Sequence, residues 1–189
     1  AGHVLFEGRD PFAGRRGGNS TYHRNVAVMF QDPHSSLSPR RCVRALIAEP
    51  FVIHGFRERD LQAEVERLLA LVGLPKEFAE RYPHQLSGGQ ARRVGVARAI
   101  ALNPKLIVAD EPTAGLDVSV QADILNLLLS LQQKLGLSYL IITHNLALVR
   151  HVSDETAIMY MGRFIEQGPT AEIFAAPAHP YTAALLAAQ

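Results

Sequence analysis

Residues Leu106–Pro112 read LIVADEP: four apolar residues, then Asp110, Glu111 and a proline. A short continuous apolar run fits a strand covered on both faces, as in a parallel sheet. Two further runs share the design. NVAVMFQ (25–31) is apolar from Val26 to Phe30 and ends on Gln31, and YLIITH (139–144) is apolar from Leu140 to Ile142 before Thr143 and His144. Ligands of open parallel sheets sit beyond the carboxyl ends of the strands. All three runs put polar groups there: an amide, a carboxylate pair and an imidazole. One such exit merely marks the end of a strand, but three together point to a site.

Helical patterns fall between the runs. Asp60 is placed to cap a helix with Leu61, Val65, Leu68, Leu69 and Val72 on one stripe. Asp117 is placed to cap another, with Val120, Ile124, Leu127, Leu128, Leu131 and Leu135 inward. The segment Arg41 to Arg81 is helical in character and lies between two site elements, so it reads as an inserted helical lobe. YMGRFIEQG (160–168) reads as two short strands around Gly162 and Arg163, and AGRRGGNS (13–20) as a polar loop with solvated arginines. The expected fold class is α/β, a mostly parallel sheet with helices around it.

The chain has 189 residues, room for one substantial core and a smaller appended lobe, and its 48% hydrophobic content is that of an ordinary globular protein. A net charge of +1 gives no reason to expect a polyanion partner, so nucleic acid is not expected. The single cysteine, Cys42, excludes an intramolecular disulfide. No apolar run approaches the roughly 18–20 residues that span a bilayer, and AGHVLFEGRD does not read as a signal peptide. If the protein serves a membrane, another subunit supplies the span.

The strand exits suggest chemistry. A carboxylate leaving a buried strand suits Mg²⁺, which prefers oxygen ligands and keeps its waters. Asp110 fits that role, and Glu111 beside it could polarise a water; the other reading is a surface turn, DEPT, ended by Pro112. His144 either donates to a phosphoryl oxygen or simply sits at a strand exit. Gln31 suits Mg²⁺ or an attacking water. The DPHSSLSPR that follows (32–40) carries Pro33 and Pro39, so it reads as an irregular exposed loop with Leu37 as an apolar knob for a partner. In LSGGQ (86–90), Ser87 offers a hydroxyl, Gly88 and Gly89 let backbone N–H groups approach an anion, and the next helix presents its positive end. The other reading is a Ser-Gly turn with a helix cap.

Gln31, LSGGQ, LIVADEP, AGLD (114–117) and His144 together resemble, in order and spacing, the Q-loop, signature, Walker B, D-loop and H-loop of the nucleotide-binding subunits of ATP-binding cassette (ABC) transporters. The resemblance covers essentially the whole chain. FQDPHSSLSPR (30–40), DEPTAGLDVSVQADIL (110–125) and HPYTAALL (179–186) resemble the dipeptide, oligopeptide and nickel importer branch. The resemblance implies a P-loop NTPase-like (RecA-like) core lobe over 1–40 and 99–189, and a helical lobe over 41–98 that carries the signature. It implies ATP and Mg²⁺ as ligands. Asp110 and Gln31 would serve the metal, Glu111 the attacking water and His144 the γ-phosphoryl group. Ser87, Gly88, Gly89 and Gln90 would face ATP held by a second nucleotide-binding subunit, with Asp117 at the same interface. The implied partners are that second subunit and membrane-spanning permease subunits, and the implied place is peripheral, on the cytoplasmic face of the membrane.

One family motif is missing. No G-x-x-x-x-G-K-[ST] phosphate loop occurs; the nearest stretch, GRRGGNST (14–21), has Asn19 in place of the second glycine and Ser20 in place of the lysine. AGHVLFEGRD resembles the strand that follows the phosphate-loop helix. The expectation is a chain without its amino-terminal piece and inactive alone. A second reading is a non-catalytic subunit that supplies only LSGGQ to a partner's ATP. A third, a soluble ABC protein of DNA repair or translation, fits poorly with HPYTAALL and the near-neutral charge.

Overall fold

The three apolar runs form one parallel sheet. Its strands are β1 (Val26–Met29), β2 (Leu106–Asp110) and β3 (Ser138–Ile142), in the order β1-β2-β3. Val26 lies opposite Leu106, and Leu106 opposite Ser138. Residues in register share a face. Ala27, Ile107 and Tyr139 therefore stand beside Met29, Ala109 and Ile141, and these residues pack into the core. Among the described residues up to Ile142 the other face has no covering layer: Val28, Leu140 and Ile142 are 49%, 53% and 51% exposed. The expectation of strands covered on both faces thus holds for one face only. An apolar run states what a strand tolerates, and the layer that covers it comes from elsewhere in the chain. Phe30 also lies beyond the strand and is exposed.

The structure, a computed structural model, describes residues 3–12, 20–32, 36–56 and 61–188. They divide into two units after Ile142. In the first, α1 (Ser20–Asn25) leads into β1. The helical segment comprises α2 (Val43–Ile53), α3 (Leu61–Leu71) and two 3-10 turns, Lys76–Glu80 and Pro83–Gln85. Val65, Leu68, Leu69 and Val72 are buried as the stripe predicts, while the expected cap Asp60 lies outside the described residues. Next comes α4 (Gly88–Ile100), which buries Ala91, Arg92, Val94, Val96, Ala97, Ala99 and Ile100. This helix is buried on nearly every side although it carries three arginines, and it shares its core with β2 and with Ile124, Leu128 and Leu131 of α5 (Val118–Leu135).

Asp117 does stand at the N-cap of α5, but its carboxylate makes no capping hydrogen bond. The end is tied instead by Gln121, whose Nε2 donates to the Leu116 carbonyl at 2.7 Å. The helix stops at Gly136, whose φ of 65° lets its N–H reach the Gln132 carbonyl. The opening segment also differs from expectation. Phe6 and Arg9 exchange two backbone hydrogen bonds around Glu7 and Gly8, at φ 51° and 74°, so residues 6–9 close a tight hairpin turn and do not extend the parallel sheet. The phosphate-loop look-alike at 14–21 and the polar loop at 13–20 lie almost wholly outside the described residues.

The second unit contains α6 (Leu146–Val152), β4 (Glu155–Tyr160), β5 (Arg163–Pro169), α7 (Thr170–Ala175) and α8 (Pro180–Ala187). β4 and β5 pair antiparallel across Met161 and Gly162, as YMGRFIEQG anticipates. The Glu166 carboxylate accepts the N–H groups of Ala178 and His179 at 2.8 and 3.1 Å, which fixes the approach to α8.

The loop after Gln31 brings the largest correction. Leu37, expected as an exposed knob, is 1% exposed and belongs to the same core cluster as Val43, Leu46 and Ile47. Arg98 Nη1 donates to the Ser36 carbonyl at 2.8 Å and anchors the chain just before it. Pro33, His34 and Ser35 lie outside the described residues. Truncation of a buried leucine costs about 2–5 kcal/mol. Leu37→Ala should therefore lower the urea midpoint strongly, whereas Val118→Ala, at a side chain 83% exposed, should shift stability by no more than about 0.5 kcal/mol. Equal midpoints for the two variants would return Leu37 to the surface.

Candidate functional site

The site begins where β2 ends. Asp110 is the last residue of the strand, and the Glu111 N–H donates to the Ile142 carbonyl at 2.8 Å, so the ladder to β3 runs one step further. Glu111 has φ 44°. That left-handed conformation costs a residue with a Cβ about 1–2 kcal/mol and persists only where the surroundings enforce it. Here the enforcing structure is a turn in which Ala114 N–H meets the Glu111 carbonyl at 3.1 Å and both Pro112 and Thr113 are buried. DEPT is a turn, then, but one built into the core.

Gln31 lies two residues beyond β1 with its side chain exposed. Its backbone is held from within. Arg92 of α4 is 2% exposed; its Nη1 donates to the Phe30 carbonyl at 3.0 Å, and its Nη2 to those of Gln31 at 2.7 Å and Ala114 at 3.3 Å. Its Nε–H has no acceptor among the described residues. Burial lowers the pKa of the guanidinium, and the nearby Asp32 carboxylate opposes that shift. The sequence reading passed over Arg92. The signal was there: a cation inside a helix of alanines and valines needs buried acceptors.

At the other end of α4, Ser87 and Gln90 form a reciprocal cap. Ser87 Oγ accepts from Gln90 N–H at 3.3 Å, and Gln90 Oε1 accepts from Ser87 N–H at 3.0 Å. The helix-cap reading of LSGGQ is therefore correct, and it leaves the Ser87 O–H able to donate outward. The glycines have a second reason to be there. A Cβ on Gly88 would sit 3.3 Å from Leu116 Cδ2, and one on Gly89 only 2.8 Å from Val120 Cγ1. The start of α4 thus packs directly on the start of α5, and the exposed Asp117 lies between those two contacts in sequence.

The structure therefore brings the candidates together in two sets within the first unit. Gln31, Asp110 and Glu111 line the carboxyl edge of the sheet, while Gly88 and Gly89, flanked by the Ser87–Gln90 cap, meet Leu116 and Val120. Arg92 joins the sets through Gln31 and Ala114. His144 is exposed near the start of the second unit, where Asn145 caps α6 by accepting from Leu148 N–H at 3.1 Å. Among the described residues no three His, Cys, Asp or Glu side chains cluster as a metal site. Asp110 and Gln31 offer hard oxygens on neighbouring strand exits. This partial donor set fits Mg²⁺ that takes its remaining ligands from water and phosphate.

A family model described as "ABC transporter" matches residues 1–114. The oligopeptide transport ATP-binding protein AppF of Bacillus subtilis (strain 168) is 46% identical over 187 residues, which cover 98% of this chain and 57% of that protein. The oligopeptide transport ATP-binding protein OppF of Lactococcus lactis subsp. lactis (strain IL1403) is 46% identical over 191 residues, covering 100% and 59%. The chain thus spans well under two thirds of the length of these relatives. Among solved structures, cbiO1 from Clostridium perfringens, part of the ABC transporter complex cbiONQ, superimposes with a TM-score of 0.82 at 31% identity, covering 93% of this chain and 69% of that one. The α/β fold is that of an ABC ATPase subunit.

The glycine contacts give opposite expectations for two alanine substitutions in one helix. An alanine gains up to about 1 kcal/mol over glycine in a helix interior, and nothing lies within 4 Å of a Cβ built on Gly95, so Gly95→Ala should stabilise. Gly89→Ala must push against Val120 and should destabilise by about 1–3 kcal/mol. Urea unfolding of both variants checks this, and a stabilised Gly89→Ala would remove the packing argument.

Proposed function

The chain belongs to the ABC transporter family, and from that premise we propose that it serves in the ATP-hydrolysing motor subunit of an importer for oligopeptides or a related solute. The observation that carries the reading is the carboxyl edge of the sheet. There an amide and two carboxylates stand on adjacent strand exits, with one carboxylate on a strained backbone. The named relatives supply the solute class.

In this reading Asp110 and Gln31 hold Mg²⁺ through oxygen, and the metal neutralises phosphate charge during transfer. Glu111 accepts the proton of the water that attacks the γ-phosphorus in line. His144 donates to the γ-phosphoryl group, an assignment that rests on the family resemblance. Ser87 and the N–H groups of Gly88 and Gly89 face ATP held by a second nucleotide-binding subunit, with Asp117 at that interface. Gln90 contributes by holding Ser87 in place. Residues 1–40 and 99–189 act as the core lobe and 41–98 as the helical lobe. No helix among the described residues is long and apolar enough to cross a membrane. Permease subunits would supply the span, with this subunit on its cytoplasmic face.

Two measurements test the proposal. In the full-length protein, Glu111→Gln should keep MgATP binding and lose about 10²–10⁴-fold in hydrolysis rate, the usual size of a general-base contribution. Turnover near the wild-type rate would exclude Glu111 as the base. The 189-residue chain by itself contains no lysine-bearing phosphate loop, so isothermal titration with MgATP should show no saturable site below the millimolar range. Micromolar affinity would mean that other residues of this chain hold the phosphates.

A further inference from the structure

We infer that Arg92 is a positioning residue that locks the loop bearing Gln31 and the loop leading to Asp117 onto the signature helix, so that all three move as one body. The inference deepens the motor reading and rests on it for its functional consequence, but the lock itself is a statement about this fold.

The geometry has three parts. First, the acceptors of Arg92 come from separate places in the chain: Phe30 and Gln31 after β1, and Ala114 after β2. Second, the donor sits on α4 five residues beyond Ser87, so one rigid helix carries both the signature turn and the clamp. Third, the clamp does not act alone. Arg98 on the same helix holds the Ser36 carbonyl, at the far side of the Gln31 loop, and Arg93 holds the Val72 carbonyl at 2.7 Å, beyond the end of α3. A displacement of Gln31 by a bound phosphate or metal must therefore move α4, or break charge-assisted hydrogen bonds in a site closed to water. A planar guanidinium reaches three carbonyls that diverge in direction; an ammonium, with its three donors on one atom, has a different reach.

The test uses the full-length protein with Arg92→Met, Arg92→Lys and, as a control, Arg98→Met. Backbone hydrogen exchange is followed in peptides covering 30–36, 112–118 and α2. Arg92→Met should speed exchange in both loops by about tenfold or more, as expected when hydrogen bonds to a charged donor are lost, while α2 stays protected. Arg92→Lys should fall between Met and wild type. Arg98→Met should affect the 30–36 peptide and α2, whose Glu49 carboxylate Arg98 also meets at 3.6 Å, but not the 112–118 peptide. ATP hydrolysis is measured alongside: kcat should fall in Arg92→Met while KM changes little, since a purely structural arginine would alter the folded fraction and not turnover per folded molecule. Should the Met variant fail to fold, the Lys variant decides by the same readout. Unchanged exchange in either loop, or a uniform rise across residues 1–142, would overturn the inference. A full-length wild type that hydrolyses no ATP would sink the motor reading, and the exchange pattern would still decide the lock.

Discussion

A buried guanidinium sets the terms for the first unit. Removing a cation from water costs several kcal/mol unless its donors find partners, and Arg92 donates to three backbone carbonyls, with the Asp32 carboxylate nearby. Along α4, Arg93 and Arg98 also donate to main-chain oxygens, and Arg98 meets the Glu49 carboxylate as well. Loops that run through a protein interior carry carbonyls that need donors. The arginines of α4 meet that need and, in doing so, tie the chain after β1, the chain after β2 and the end of the helical segment to one helix. The position of α4 then decides where Gln31 and Ala114 lie.

Local strain is concentrated around that scaffold. Glu111 adopts a left-handed backbone, and Gly89 lies so close to Val120 that even a Cβ would force one of them to shift. Both are unfavourable to an isolated peptide or intolerant of substitution. The burial of Pro112 and Thr113 and the packing of α4 on the start of α5 hold them in place. A rigid core that holds loop residues off their preferred geometry is the usual arrangement at a reactive site. In LSGGQ, the cap and the packing account for the serine, the glutamine and both glycines. Ser87 and Gln90 cap the helix, and the glycines permit close approach to α5.

Much of the architecture was legible in one dimension. The three apolar runs became three parallel strands, LSGGQ opened a helix, and the stripes after Asp60 and Asp117 were buried as their spacing predicts. The residues at the strand exits were legible too, because an apolar run that stops at a polar side chain marks its own end. These features depend on neighbours a few positions apart, and local periodicity records them directly.

What the tertiary structure decided depends on residues far apart in the chain. Leu37 reads as an exposed knob between prolines, yet it is core, because Arg98, some sixty positions later, draws Ser36 inward. Arg92 reads as one of three arginines in a helix, yet it clamps carbonyls 61 and 62 positions before it and 22 after it. Gly89 reads as a place for an anion, yet its first requirement is room for Val120. Among the described residues of the first unit one face of the sheet is uncovered although its strands are apolar on both. Side-chain type states what a position tolerates. Only the assembled layers determine which carbonyl, methyl group or water it meets, since burial and hydrogen bonding belong to pairs of residues and not to single ones.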